Sequence, residues 1–289
     1  MGQIVGGYAL FGGLDDAGPL VEALAASPLV EGLEVPFRGG IIEVPEGAPA
    51  GWRYVITMIP ETMRRVGEDP RFGLASPDAD GRAAALDLLR EVHAAVSASE
   101  LEVVAVEVHS APTRTADAEA FAASLADIVS WGWGSTEIVV EHCDAFSDEH
   151  PVEKGFLTLT EELDAAEDAG VGVSINWARS VIETRDAATG LAHVSEAAAR
   201  RLLRGVIFSS VSPEDNEVGG AWIDSHLAPA GLGISPRGTL LTAETMGQCL
   251  SVAGEAWRGF KIVLPADFDA EARAAGALEM ASLVESASR

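Results

Sequence analysis

Positive charge is scarce in this chain. Nineteen Lys and Arg stand against 45 Asp and Glu, giving a formal net charge of −26 and a sequence pI near 4.4. A surface this acidic repels nucleic-acid phosphates and anionic lipid headgroups, and it leaves no basic stripe to track a phosphate backbone. Nucleic acid and membrane are therefore not expected as partners, and the plain meaning of the charge is solubility. Cysteine is nearly absent: Cys143 and Cys249 are the two present. One distant pair without CxxC spacing makes no disulfide framework and fits a reduced, cytoplasmic setting. The opening MGQIVGGYALFGG lacks the basic stretch of a signal peptide, and no apolar run is long enough to span a bilayer. GxGxxG after a strand, GxxxxGK followed by Ser or Thr, and HExxH are all missing, so no nucleotide cofactor is expected.

What is present is apolar sequence in short, regularly spaced runs. At 48% apolar over 289 residues, the chain can bury a full core. Strands are expected at Gln3 to Leu10, Gly32 to Phe37 (carrying Glu34), Trp52 to Pro60, Leu101 to Pro112, from Thr136, around Gly172 to Asn176, Gly205 to Val211 and Phe260 to Pro265. Helices are expected between them, at Asp15 to Ser27, Asp78 to Ser99, Asp117 to Trp131, Leu159 to Ala169, Val194 to Arg204, Thr242 to Gly254 and from Asp269. The Gly- and Pro-rich GGIIEVPEGAPAG makes a poor helix and reads as an irregular crossover. About eight strands, most followed by a helix, define an α/β protein with a single (β/α)8 TIM barrel. No linker divides it, so residues 1–289 read as one domain.

The informative stretch is Thr136 to Arg185. Two apolar runs there end in polar groups, Glu141, His142 and Asp144 on the first, Asn176, Arg179 and Glu183 on the second. The carboxyl ends of buried parallel strands are where such barrels carry their sites. Strand alternation then sorts side chains. Val104, Val106 and Val108 must face the helices, so Glu107 and His109 line the mouth. Glu141 and Asn176 point inward, with His142 at the rim. Lys261 begins its strand and would lie low in the barrel, where Glu107 could pair with it or with Arg53. His93 and His193 read as surface residues, and Trp131 and Trp133 as packing under the barrel.

The polar strand ends and their order resemble the xylose isomerase-like barrel superfamily of sugar isomerases and epimerases, which also holds endonuclease-IV-like barrels. The likeness falls nearest an uncharacterised bacterial family. It implies a divalent metal ion (Zn, Mn or Mg) held by carboxylates and histidines, with Glu141 in VVEHCD matching the glutamate after a middle strand. The usual acids or histidines after strands six, seven and eight are missing. Asn176, Ser209-Ser210 and Leu264-Pro265 stand there, leaving Asp224 and His226 of WIDSHLAP as replacements.

The function this implies is a sugar or sugar-acid isomerase or epimerase working by proton transfer at the mouth. Glu141, Glu107 and His109 are the catalytic candidates. Asn176, Arg179, Trp222 and Glu34 are candidates for holding a carbohydrate-like substrate, and Glu141, His226 and Asp224 for holding metal. A homo-oligomer is an open option. The alternatives are a non-catalytic sugar-binding barrel and a glycoside hydrolase-like barrel. The latter lacks a nucleophile glutamate in VIFSSVS. The loop Ser212 to Thr239 is expected to fold over the mouth and bring His226 near Glu141, with Trp222 against a sugar ring.

Overall fold

The computed structural model describes residues 2–289. The strands are β1 (Gln3–Gly6), β2 (Val30–Arg38), β3 (Ile41–Ile42), β4 (Arg53–Thr57), β5 (Glu102–Val108), β6 (Glu137–His142), β7 (Gly172–Asn176), β8 (Leu203–Phe208) and β9 (Trp257–Phe260). All but β3 are parallel and pair in the order β1-β9-β8-β7-β6-β5-β4-β2, and a β1–β2 pairing closes the ring. This is a closed eight-stranded (β/α)8 barrel. β3 only turns back on the end of β2, within the Gly- and Pro-rich crossover that carries no helix.

Ten helices surround the barrel: α1 (Gly7–Phe11), α2 (Gly18–Ala26), α3 (Ile59–Glu68), α4 (Ala79–Ala98), α5 (Ala118–Ser130), α6 (Leu159–Ala169), α7 (Trp177–Thr184), α8 (Ala188–Ala199), α9 (Ala243–Ala253) and α10 (Ala270–Ala287), counted among the described residues. Their starts are written in the sequence. Asp78, Asp117, Asn176, Thr242 and Asp269 each accept a hydrogen bond from a first-turn backbone N–H. Thr158 and Glu161 cap α6 reciprocally. No helix among the described residues is long and apolar enough to cross a membrane.

The main core lies between barrel and helices. Inside the barrel, Ile4, Val55, Ala105, Val139, Ile207 and Trp257 form a separate small cluster. Two residues further along each strand the inward position turns polar or loses its side chain. These positions are Gly6, Glu34, Thr57, Glu107, Glu141, Ser174 and, one step past β8 and β9, Ser209 and Lys261. The barrel thus has one apolar inner layer below and one polar layer at its carboxyl end.

Several boundaries differ from expectation, and three matter. β1 stops at Gly6 and α1 follows at once, which brings Tyr8 onto the mouth. Two helices, α7 and α8, fill the space between β7 and β8 where one was expected. The last barrel strand is Trp257–Phe260, three residues earlier than read. Its register is set by Gly259, where any Cβ would strike the Ile4 backbone of β1. Lys261 therefore follows its strand instead of beginning it, and lies at the mouth, not low in the barrel. Arg53 pairs with Glu31 instead, at 2.7 Å. Trp131 and Trp133 stack 6.3 Å apart in the turn ahead of β6 and pack partly buried against the core.

Candidate active site

Glu141 ends the inward face of β6 and has no exposed surface. Its Oε1 lies 2.5 Å from Arg179 Nη1 and 3.5 Å from Lys261 Nζ. Its Oε2 accepts from His109 Nε2 at 2.7 Å and from Thr57 Oγ1 at 3.5 Å. A carboxylate buried alone would cost several kcal/mol, and these partners offset that. Burial pushes the Glu141 pKa up, but Arg179 and Lys261 outweigh it and hold the group well below the usual carboxylate range.

The local sequence explains how both cations arrive there. Asn176 ends β7, and its Oδ1 accepts from Ala178 N at 3.1 Å and Ser209 Oγ at 2.8 Å. That cap starts α7 directly at the strand end, so its first turn carries Arg179 back over the barrel. Lys261 lies against Gly6, where a Cβ would come within 2.7 Å of its Cγ and 2.9 Å of its Cβ. Only a residue without a side chain leaves room for this lysine.

From these two cations a closed circuit of contacts runs around the mouth. Lys261 Nζ is 2.6 Å from Glu34 Oε1 and 5.1 Å from the Tyr8 ring centre. Tyr8 OH meets His226 Nε2 at 3.2 Å, and His226 Nδ1 lies 3.0 Å from Asp224 Oδ1. Asp224 Oδ2 accepts from Arg179 Nε at 2.9 Å and from Lys154 Nζ at 3.1 Å. Burial drives the Tyr8 hydroxyl up to about 12. It also drives His226 and His109 down, so both rings are neutral.

Beside this circuit sits Glu107, which accepts from Ser174 Oγ at 2.7 Å. Burial, reinforced by the charges of Glu141 and Glu34, pushes its carboxyl well above the usual carboxylate range. Four buried polar atoms here have neither a hydrogen-bond nor an ion-pair partner among the described residues: Glu34 Oε2, Glu107 Oε2, His109 Nδ1 and Asn176 Nδ2. Buried polar atoms left unmade are uncommon and costly, so a cluster of four marks a place built for something else.

The structure thus gathers Glu34, Glu107, His109, Glu141, Asn176 and Arg179. It does not bring Trp222 with them. That residue is half-buried in the loop after β8, its amide pinned to Ser212 O at 2.8 Å and Arg185 stacked 5.7 Å over its ring. The loop does reach the mouth through Asp224 and His226. His226 adopts a left-handed φ of 52°, held by Val263 N donating to its carbonyl at 2.8 Å. His226 joins Glu141 only indirectly, through Asp224 and Arg179 on one side and Tyr8 and Lys261 on the other. Sequence reasoning missed Tyr8, Thr57, Ser174 and Lys154. Lys154 is placed by Asp144, whose carboxylate accepts from the backbone N–H groups of Glu153, Lys154 and Gly155 at 2.7–3.4 Å.

Two groups have the side-chain spacing to hold a metal ion: His109, Glu141 and Cys143, and separately His142, Glu183 and His193. The expected trio of Glu141, His226 and Asp224 does not converge, because the Arg179 guanidinium stands between Glu141 and Asp224. The first group does not fit an ion as arranged. His109 Nε2 is spent on Glu141, burial pushes the Cys143 thiol well up, and both oxygens of Glu141 are taken. A dication about 4 Å from either fixed cation would meet roughly 8 kcal/mol of repulsion at an effective dielectric of about 20.

The second group faces the other way, behind the barrel wall. His142 Nδ1 meets Glu162 Oε2 at 2.6 Å and its Nε2 meets Glu183 Oε2 at 3.1 Å. Burial opposes its charge, but the two carboxylates raise its pKa to about 10, so the ring is a cation with both N–H groups donated. His193 is not a surface residue. It lies mostly buried with its ring 5.0 Å from that of His142, and burial beside that cation lowers it to about 4.

The mouth is sealed. Glu34, Glu107, Glu141, Asn176 and Lys261 have no exposed surface, and Arg179 has 1%. Next to it lies a groove of about 460 Å³ lined by Tyr8, Phe11, Val35, Pro36, Ile42 and Val44 among others. Tyr8 is the member of the circuit that reaches this groove.

The family described as "Domain of unknown function (DUF4862)" matches residues 4–275. An uncharacterized protein of Salmonella typhimurium, STM3670, is 37% identical over 217 residues, covering 70% of this chain and 69% of that one. Among solved structures, a D-psicose 3-epimerase superposes with a TM-score of 0.54 at 14% identity, covering 99% of this chain and 96% of that one. The 3-keto-D-glucoside 4-epimerase YcjR of E. coli does so at 0.53 and 12%, covering 86% and 98%. A xylose isomerase domain protein of Alicyclobacillus acidocaldarius gives 0.53 and 12%, covering 99% of each.

Proposed function

This chain belongs to the DUF4862 family and has the xylose isomerase-like barrel, and from that premise we propose that it is a sugar or sugar-acid isomerase or epimerase that moves a proton at the barrel mouth. The observation that carries the reading is two buried carboxyls in one cluster with opposite surroundings: Glu141 is held by Arg179, Lys261 and His109, which draw its pKa down, while Glu107 has the Ser174 hydroxyl as its hydrogen-bond partner and burial pushes its pKa up. Pairs whose surroundings push their pKa values apart are how acid and base roles are assigned at neutral pH. That two barrel neighbours are sugar epimerases supports the substrate class.

In this reading Glu141 is not the proton acceptor, because its salt bridges make it a weak base. It fixes the His109 ring with Nε2–H toward itself. The unpartnered Nδ1 lone pair of a neutral imidazole then takes the proton from carbon beside the substrate carbonyl. Glu107 supplies a proton from its unpartnered side. Lys261 and Arg179 face the negative charge that develops on the carbonyl oxygen. Asn176 Nδ2 and Glu34 Oε2 hold hydroxyls. With every group buried, the substrate enters only when the Asp224–His226 segment lifts away from Arg179, Lys154 and Tyr8.

The test is incubation with ketose–aldose and epimer pairs in deuterium oxide, followed by NMR. Deuterium at a carbon next to the carbonyl is expected with the wild-type protein and is lost in Glu107→Gln and His109→Gln. The sealed, internally paired mouth favours a second reading, a barrel that binds sugar without turnover. Thermal shifts with sugars and no deuterium incorporation in any protein would decide for that one.

A further inference from the structure

We propose that Lys261 and Arg179 are a built-in replacement for a divalent metal, so that the mouth works as a metal-free electrostatic centre. Metal-dependent barrels of this kind are expected to gather acidic and histidine ligands from successive strand ends around one ion. Here the corresponding inward ring offers Glu34, Glu107 and Glu141, but the last strand contributes an ammonium in place of an acid. That ammonium lies 2.6 Å from Glu34 and 3.5 Å from Glu141, while Arg179 lies 2.5 Å from the same Glu141 oxygen. With His109 Nε2 on the other oxygen at 2.7 Å, both oxygens of Glu141 are satisfied from within the chain.

The charge count points the same way. Three carboxylates of the circuit, Glu34, Glu141 and Asp224, face three cations, Lys261, Arg179 and Lys154. Glu107 stands outside these pairs, its nearest polar partner being the Ser174 hydroxyl at 2.7 Å. A dication entering this balanced, fully buried cluster would leave two positive charges without partners. Gly6 is an independent sign that the lysine is a designed occupant, because the facing strand gives up its side chain where the Lys261 stem passes. The carboxylates are also ready for metal once the lysine is gone. Removing it takes away one of the two repelling cations and leaves Glu34 and Glu141 facing the vacated place, where an entering ion would displace the Arg179 guanidinium from Glu141 and meet oxygen ligands of the kind Mn²⁺ and Mg²⁺ prefer.

The part of this inference that concerns metal stands apart from the proposed proton transfer. Only the statement that the two cations face a substrate oxygen rests on that reading. The test therefore measures metal, not turnover. Wild-type protein is dialysed with Mn²⁺ and in parallel with Zn²⁺, freed of excess ion, and analysed by elemental mass spectrometry and thermal unfolding. No stoichiometric ion lost on Glu141→Gln, and an unfolding midpoint unmoved by chelator, are the expected results. Stoichiometric ion that disappears in Glu141→Gln would overturn the proposal. Ion that survives Glu141→Gln but is lost in His193→Ala belongs behind the barrel wall and leaves it standing.

The second arm is Lys261→Met, titrated with Mn²⁺ by calorimetry and electron paramagnetic resonance. It is expected to gain one Mn²⁺ per chain, lost again when Glu34→Gln is added. If the variant folds only with Mn²⁺ present, that rescue is the same result in stronger form. A folded Lys261→Met that takes up no Mn²⁺ would show that the lysine does not stand in a metal's place. If the variant folds under neither condition, the wild-type measurement decides. Turnover failing for every sugar pair, with these metal results intact, would remove the function and leave the inference.

Discussion

Glu141 and His142 are neighbours on β6, point to opposite faces, and anchor two buried ionic clusters of opposite character. The outer one, behind the wall, joins Ser110, Glu162, His142, Glu183 and His193 across α6, α7 and α8. Its central ring uses both nitrogens on carboxylates, and Glu183 also accepts from Ala145 N at 2.9 Å. The inner one holds more charges, leaves four polar atoms unmatched and keeps a strained loop residue, His226, on its rim. The outer cluster leaves one such atom, His193 Nδ1, without a partner, against four in the inner one, and unmatched buried polar atoms mark a place open to a ligand. Burial and charge alone would not have told the two apart.

The comparison can be broken most sharply at Glu107. Glu107→Gln replaces a protonated carboxyl by a near-isostere. It is expected to cut deuterium exchange by about 10²–10⁴-fold, the usual worth of a general acid. Stability by urea titration should change by less than about 1 kcal/mol, because no charge is removed. A loss of several kcal/mol would mean that Glu107 is ionised and structural.

Arg179→Met should do both kinds of damage. It leaves Glu141 and Asp224 short of a buried partner and is expected to destabilise by about 3–5 kcal/mol as well as abolish exchange. Urea unfolding of the purified variant checks the first part and deuterium NMR the second.

His142→Gln is the counterpart on the outer face. A cost of about 2 kcal/mol at pH 6 is expected, with exchange retained. The sign of its pH dependence follows from the raised pKa. A histidine of about 6.5 when unfolded and about 10 when folded contributes its full stabilisation below pH 6.5. That contribution falls as pH rises and is gone above about 10. The gap in stability between wild type and His142→Gln should therefore close between these two values. A gap that widens with pH would show that the ring is neutral in the native protein.

The smallest effect is expected at Lys154→Met. The pair is buried, but Asp224 keeps Arg179 and His226, so stability should fall by about 1.5 kcal/mol, less than at His142. The visible change should be faster amide exchange at Asp224 and His226 than at Glu183 and Ala145, since only the inner cluster is meant to open.

Most of the barrel and part of the site were legible in the chain. Ile138-Val139-Val140 between two polar ends reads as a buried strand, and alternation from there places Glu141, Glu107 and Asn176 inward. Capping residues marked five helix starts to within a residue. The last strand was misplaced because FKIVLP is the more hydrophobic run, while WRGF is chosen by Gly259 meeting the β1 backbone, a contact between chain ends. That shift hid the role of Lys261. Lys154 and Tyr8 were invisible for a different reason. Neither lies on a periodic element near the others, and each arrives through a backbone turn, one held by Asp144 and one forced by the early end of β1.

Gly6 carries a consequence for how this family can change over generations. The side chain missing from β1 and the lysine that follows β9 occupy one volume, though 255 positions separate them. Any lineage that gains a side chain at position 6 must first give up the lysine at 261, and a lineage without the lysine is free to fill position 6. The two columns should vary together among descendants, and where they part from Gly and Lys, acids at positions 34 and 141 should be found either lost or joined by new ligands.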